Sequence, residues 1–462
     1  MLSHKSTIIS NFSSRSSEGY ILYFVLLVLT ILGISFIVAS THSSHTHFLA
    51  TRLQQEQQAM LLAESGIVRT QYFLNGGDAH DLHWETDSFA EVIENWGDIH
   101  LSCKPFGAFS RLESQGRRIR YACTISGLIG RDVPKIMEPV LTICGSTRGL
   151  VLDDQSSITG KVVLDYGPVV RGKSKRPIPG SEKWVTNRIS PRLPFDSTSL
   201  DTVFETLQGR LASSLSDKNA VTGDITLSRA NDTLLKRNPL VVLGSARIEG
   251  IRAEKATIIA AKTITVGQGA LLKGCMLIGD SLAVIDGTTE KSLMFSNKKI
   301  PILGGTHGSQ FFSLDSIIIS KAARPGPMSL WVSKRTVESD TIRHGGILFE
   351  ARGVYRGCAI CYSDTAAFRQ MKLRGPGIVI GDKVEFSGYL ICDGDIEISP
   401  SAIQGRIWAQ SVTGVDGMIK ALHWLYRTTL KPPDTDLPFP LLGEMPVSVK
   451  FDRAAVTYRQ VK

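Results

Sequence analysis

The short signatures that mark chemistry are missing from this sequence. It has no G-x-S-x-G nucleophile elbow, no phosphate-binding glycine loop and no HExxH helix, so the usual serine-hydrolase, nucleotide-hydrolase and zinc-protease readings have no residues to stand on. A formal charge of +9 comes without a nucleic-acid-binding signature, and its basic residues are scattered. The densest cluster, Arg171, Lys173, Lys175 and Arg176, lies beside Pro177 and Pro179, where a solvated loop is the plainer reading and a polyanion site the sharper one. Cysteine is sparse and odd in number, at seven. The lone C-x-x-C of Cys358 and Cys361 has neither the second pair that zinc requires nor the βαβ surroundings of a thioredoxin-like site.

Against these absences stands one long apolar run. Residues 20–39, YILYFVLLVLTILGISFIVA, carry no charge for twenty positions. As a helix they rise roughly 30 Å, enough to cross a hydrocarbon core, whereas a cleavable secretory core is nearer 7 to 15 residues. Lys5 and Arg15 precede the run and no Lys or Arg follows until Arg52, which predicts a cytoplasmic N-terminus and an extracytoplasmic remainder. The expected location is therefore an inner membrane crossed once, with the bulk periplasmic or on the cell surface.

The helical pattern continues past the membrane. Leu49, Leu53, Met60, Ala63, Ile67 and Leu74 recur at spacings that form one apolar stripe, with glutamines filling other positions. Gly76 and Gly77 are stop signals, so the rod is expected to end near Leu74.

A polar leader ending in Gly19, the aromatic Tyr20, a hydrophobic half-helix and then QQAMLLAESGIVRTQYFL resemble the N-terminus of type IV pilin-like proteins, in particular minor pilins and the large pseudopilin of type II secretion. The resemblance covers about residues 15 to 75. It implies peptidase cleavage between Gly19 and Tyr20, and pilin-like subunits or an assembly platform as partners beside the lipid bilayer. Phe24 stands where major pilins have Glu, a departure shared with subunits of filament tips, which implies a minor role.

Residues 76–146 are expected to form a small antiparallel sheet, from alternating runs such as GDIHLSCKPFG, RRIRYACTISGLIG and KIMEPVLTICG. Cys103 and Cys123 fall on neighbouring predicted strands. They are a disulfide candidate in an oxidising compartment, or else two buried free thiols.

From Ala246 the chain divides every eighteen residues into units that open with apolar alternation and a turn, and Ile378 and Ile396 each begin another. Such a period predicts stacked coils whose apolar rows only the next coil covers. The fold class is thus α+β followed by all-β: a long helix, a small antiparallel sheet and a parallel β-solenoid over 147–415, with insertions near 171–238 and 318–377. The first insertion should hold a helix around Leu200 to Leu215. Spacing and composition here resemble bactofilin-like β-helices. A Pro-rich tail and final strand over 416–462 are expected to cap the last coil.

Candidate chemistry beyond this is thin. His42 and His45 have i, i+3 spacing but no nearby carboxylate or cysteine, so with His47 they read as a polar juxtamembrane face, and no metal or cofactor is expected. Cys275 and Cys392 occupy like places in their units and should pack inward. Three functions remain. A non-enzymatic pilin-like structural subunit leads. A surface adhesin binding glycan would display Trp408, Tyr389 and Tyr355 along the coils. A polysaccharide lyase or hydrolase would gather acids such as Asp153, Asp154, Asp393 and Asp395, for which no basic partner appears at one-coil offsets.

Overall fold

The computed structural model describes residues 10–74, 88–93, 96–131, 133–145, 149–165, 167–172, 176–177, 185–186, 193–195, 197–338, 341–342, 345–364, 375–434, 437–440 and 449–460. Three parts follow one another: a long N-terminal apolar helix, a small antiparallel sheet and a large body made mostly of strands.

Helix α1 (Ser10–Leu74) is continuous for 65 residues. Gly76 and Gly77 lie outside the described residues, as do residues 1–9 of the leader. Strands β1 (Ser88–Ile93), β2 (Gly97–Phe106), β3 (Phe109–Arg118) and β4 (Tyr121–Arg131) form the expected antiparallel meander. Two expectations about it need correction. The KIMEPVLTICG run does not join it: Leu141–Ile143 pairs in parallel with strands of the body instead. The final strand, β5 (Val449–Gln460), does not cap the body; it lies antiparallel against β4 and becomes the fifth strand of the sheet. Strand β4 would otherwise present an open edge, and β5 removes it.

In the body, strands pair in parallel with their counterparts in the following repeat. Ile264 stands opposite Leu282, Val284 opposite Ile302 and Ile378 opposite Ile396, each eighteen residues on, as the sequence period requires. The apolar alternation thereby becomes continuous inner rows: Ile248, Val266, Val284, Ile302, Ile319 and Phe349 are each at most 1% exposed. Residues 318–377 are not an excursion from this arrangement. Leu330–Arg335, Gly346–Phe349 and Val354–Ser363 keep their places between neighbours, and only the connections between them are longer.

The order of the stack departs from the order of the chain. Ile407–Ala409 is followed in space by Leu141–Ile143, then Val162–Leu164, then Val185–Thr186. The N-terminal part of the predicted 147–415 region therefore sits beyond its C-terminal part in the stack. From Thr186 the chain must travel to the opposite end, where Ile225–Leu227 pairs with Ala246–Ile248.

Helix α2 (Thr198–Ser214), predicted around Leu200 to Leu215, makes most of that journey. Asp201 at its start accepts the Tyr362 hydroxyl at 3.0 Å and pairs with Lys334 at 2.6 Å, while Arg210 near its end reaches Met276. Seventeen residues give a helix of about 25 Å. That matches the rise of the five strand intervals it crosses, at about 4.8 Å each. Beneath it runs an outward ladder, Ile259, Ile278, Phe295, Phe312, Val332 and Ile360, all buried. Phe204 stands edge-on to Phe312 with centroids 5.6 Å apart and to Phe295 at 6.1 Å. Phe204→Ala should cost about 3–5 kcal/mol by opening a cavity under the helix. Thermal unfolding of the detergent-solubilised protein would measure it, and an unchanged transition would mean that the helix does not hold the stack.

Candidate assembly surface on the N-terminal helix

Helix α1 docks on the meander only along its C-terminal third. Ala59, Leu62, Ala63, Gly66, Ile67 and Thr70 are buried, an i, i+3, i+4, i+7 set facing Ile99, Leu101, Cys103, Leu112, Cys123 and Ile125. Small residues allow the contact. A β-carbon on Gly116 of β3 would overlap the Ala59 carbonyl and the Ala63 nitrogen, and one on Gly66 would overlap the Ser114 hydroxyl. At this separation Ser114, itself fully buried, donates to the Ala63 carbonyl at 2.7 Å. Arg118 donates to the Gln58 side chain at 3.1 Å near the contact's upper edge.

The sequence-derived stripe is therefore only partly a packing face within the chain. Ala63 and Ile67 are buried and Met60 packs beside them, but Leu49 is 43% and Leu53 58% exposed. The Leu74 side chain lies outside the described residues. Ala59, Gly66 and Thr70 were missed because a pattern read on large apolar residues undervalues small ones. Their spacing, Ala59, Ala63, Gly66, Thr70, was the available signal.

From Tyr20 to Gln54 every residue of the helix is exposed. From Tyr20 to Val38 nearly every large apolar side chain is exposed, Tyr20 at 79%, and this is a helix long and apolar enough to cross a membrane. Two of its hydroxyls are satisfied internally, Thr30 donating to the Leu26 carbonyl at 2.7 Å and Thr41 to that of Ile37 at 2.9 Å. No partner in water is needed for them, which suits a hydrocarbon environment. Among the described residues the first ion pair, Arg52 with Glu56 at 2.9 Å, comes well after the apolar run. His42, His45 and His47 lie on the exposed helix surface between the two, and among the described residues no group of three or more His, Cys, Asp or Glu is placed to hold a metal. The helix runs without a break through Gly19 and Tyr20.

The remaining candidates are dispersed through the fold. Cys103 and Cys123 are not on neighbouring strands: β3 lies between β2 and β4, with Cys103 opposite Leu112 and Cys123 opposite Gly116. Neither is in a disulfide, both are buried, and burial pushes the Cys103 thiol up to about 11. Trp408, Tyr389 and Tyr355, the aromatics a glycan surface would display, are all at most 1% exposed. Tyr389 donates to the Leu437 carbonyl at 3.1 Å and stacks edge-on with Phe439, so these rings hold the tail and the core. The acids sit in or beside turns, Asp395 at the start of a strand. Asp153 accepts the Arg427 backbone N–H at 3.1 Å, Asp393 that of Ser363 at 2.7 Å, and Asp395 the Ser411 hydroxyl at 2.9 Å, while Asp154 is exposed. Burial raises the Asp395 carboxyl above its ordinary value, opposed by its hydroxyl partners. In the basic cluster Arg171 and Arg176 face each other across a short antiparallel pair, and Lys173 and Lys175 lie outside the described residues.

Gly66→Leu and Gly116→Leu should each destabilise the helix–sheet contact by about 1–3 kcal/mol or more through overpacking. Gly33→Leu is the control, since no heavy atom lies within 4 Å of a β-carbon there. Unfolding followed in detergent should separate the first two from the third; equal transitions for all three would place the helix elsewhere.

No protein-family model matches the sequence, and no curated protein matches it. Among solved structures, the competence-associated pilin ComZ from Thermus thermophilus aligns over 88% of this chain and 98% of its own, at 11% identity and a TM-score of 0.22. An overlap that low carries no argument about fold or function.

Proposed function

We propose that this protein is a non-enzymatic, membrane-anchored subunit of the pilin-like kind, whose body is a parallel β-solenoid displayed outside the cytoplasm. The observation that carries the reading is the division of α1 into two lengths. The lower length is fastened to the meander through Ala59, Ala63 and Gly66, and the upper leaves its apolar surface uncovered. From Tyr20 to Gln58 the helix projects about 58 Å, of which a bilayer core accounts for about 30 Å. The exposed Leu49 and Leu53 then fall on the part beyond the hydrocarbon, where a neighbouring helix rather than lipid would cover them.

In this account the Tyr20–Thr70 length serves first as an anchor and then as a packing rod among like helices, either of a pilus or of a secretion pseudopilus. The N-terminus is cytoplasmic, with Lys5 and Arg15 holding it there. Lipid is one partner, and other pilin-like subunits or their assembly platform are the second. The solenoid acts as the exposed cargo or spacer. Burial of Trp408, Tyr389 and Tyr355 leaves the glycan-binding alternative without the surface it was built on.

N-terminal sequencing of the protein from native-host membranes tests the proposal. A mature chain beginning at Tyr20 is expected. A chain beginning at Met1 would sink the pilin-like assignment and leave a plain single-pass anchor. A Leu53→Cys variant should also form cross-links to other small membrane subunits, which Val68→Cys, exposed but set beside the meander, tests for position.

A further inference from the structure

Cys361 and Cys392 stand in direct register on adjacent parallel strands, Val354–Ser363 and Glu385–Cys392. Both are fully buried in the inner core of the body. Paired strands lie about 4.8 Å apart. That falls within the roughly 4.4–6.8 Å between α-carbons that a disulfide spans. Their sulfurs converge on one spot: a β-carbon at Gly377 would lie 3.1 Å from the Cys361 sulfur and overlap that of Cys392. Cys358, the nearer cysteine in sequence, is turned to the other side of the strand, among Ile360, Tyr362 and Tyr389 in the outer cluster.

We propose that Cys361 and Cys392 form a disulfide that staples neighbouring strands of the body, and that Arg335 activates the pair. Arg335 is 3% exposed and held by the Gly345 carbonyl at 2.9 Å, and one of its terminal nitrogens would lie 2.9 Å from a β-carbon at Gly377. Its cation is therefore fixed beside both sulfurs. The Cys361 thiol is lowered below its ordinary value by the hydrogen bond with Cys392, with Arg335 adding to it against burial, whereas burial raises Cys392. Either sulfur can attack first and the other then resolves, by the same steps.

The oxidant is a disulfide of the glutathione or protein-dithiol class. With Cys361 first, its thiolate attacks one of the oxidant's sulfurs and expels the other as a thiolate, giving a mixed disulfide. Cys392, giving up its proton, then attacks the Cys361 sulfur and expels the second thiolate. Two thiols become one disulfide, and the oxidant takes up two electrons and two protons. With both sulfurs enclosed in the finished core, the exchange belongs to the stage at which strand Glu385–Cys392 docks on its neighbour.

In the cell, the supply of oxidant rests on the extracytoplasmic placement proposed above; the geometry of the pair does not. Protein from native-host membranes is therefore alkylated on lysis, denatured, digested and mapped by tandem mass spectrometry, beside a sample refolded in oxidised and reduced glutathione. Fragmentation must separate Cys358 from Cys361, and a Cys358→Ser variant gives the same answer independently. A linked Cys361–Cys392 peptide is expected in both samples, lost in Cys392→Ser and kept in Cys358→Ser. Reduction should lower the melting temperature of the wild type but not that of Cys392→Ser. Linkage only after glutathione treatment would support the pair and overturn the extracytoplasmic placement. Both thiols alkylated in both samples, or linkage to another cysteine, would overturn the proposal.

Discussion

Everything in the body depends on one non-local pairing, that of Ile407–Ala409 with Leu141–Ile143. A strand at the end of a stack presents a row of unpaired backbone groups, and here an early segment of the chain covers the row left by a late one. Because the covering strands come from the N-terminal side, the chain must then cross to the far end to begin the stack proper. Helix α2 is the result of that requirement. Its apolar face, Leu200, Phe204, Leu207 and Leu211, is matched by the outward ladder over which it passes. Pairings so distant in sequence close large loops, and formation of the complete stack is correspondingly slow.

The meander is fastened to this body as firmly as to the helix. Gln310, fully buried, accepts the Ala108 N–H at 2.8 Å and donates to the Phe106 carbonyl at 2.8 Å, gripping the β2–β3 turn from both sides. Gly107 adopts a positive φ there and its α-carbon faces the Gln310 amide, where a side chain would overlap it. Arg111 donates to the Gly274 carbonyl at 2.9 Å with its guanidinium over Phe106, and Glu113 pairs with Lys255 at 2.6 Å. The exposed ion pair adds little, whereas the buried glutamine, if replaced, would strand two backbone groups.

Local physics was legible in the residues and long-range order was not. The apolar run at 20–39, the helix at Thr198–Ser214 and the eighteen-residue register all follow from periodicity. The placement of Leu141–Ile143 and Val449–Gln460 does not. Both segments alternate like strands, and a strand pattern states which face is buried without naming the partner. Cys103 and Cys123 failed for the same reason, since adjacency in a meander depends on which predicted runs become strands of it. On the helix, Leu49 and Leu53 belong to the apolar stripe that the sequence predicts, and within the chain itself they stay exposed. Gly66 and Ala59 escaped because close approach selects for what a residue lacks.

The convergence of both chain ends on one sheet has a mechanical consequence. The body is attached to the meander by two covalent strands of chain, one leaving β4 and one returning to β5, and Arg131 and Phe439 exchange backbone hydrogen bonds of 2.8 and 2.9 Å between them. Tension applied through α1 therefore enters the sheet and divides between two parallel tethers before it reaches the stack. A cut in either connection alone would leave the body attached to the anchor.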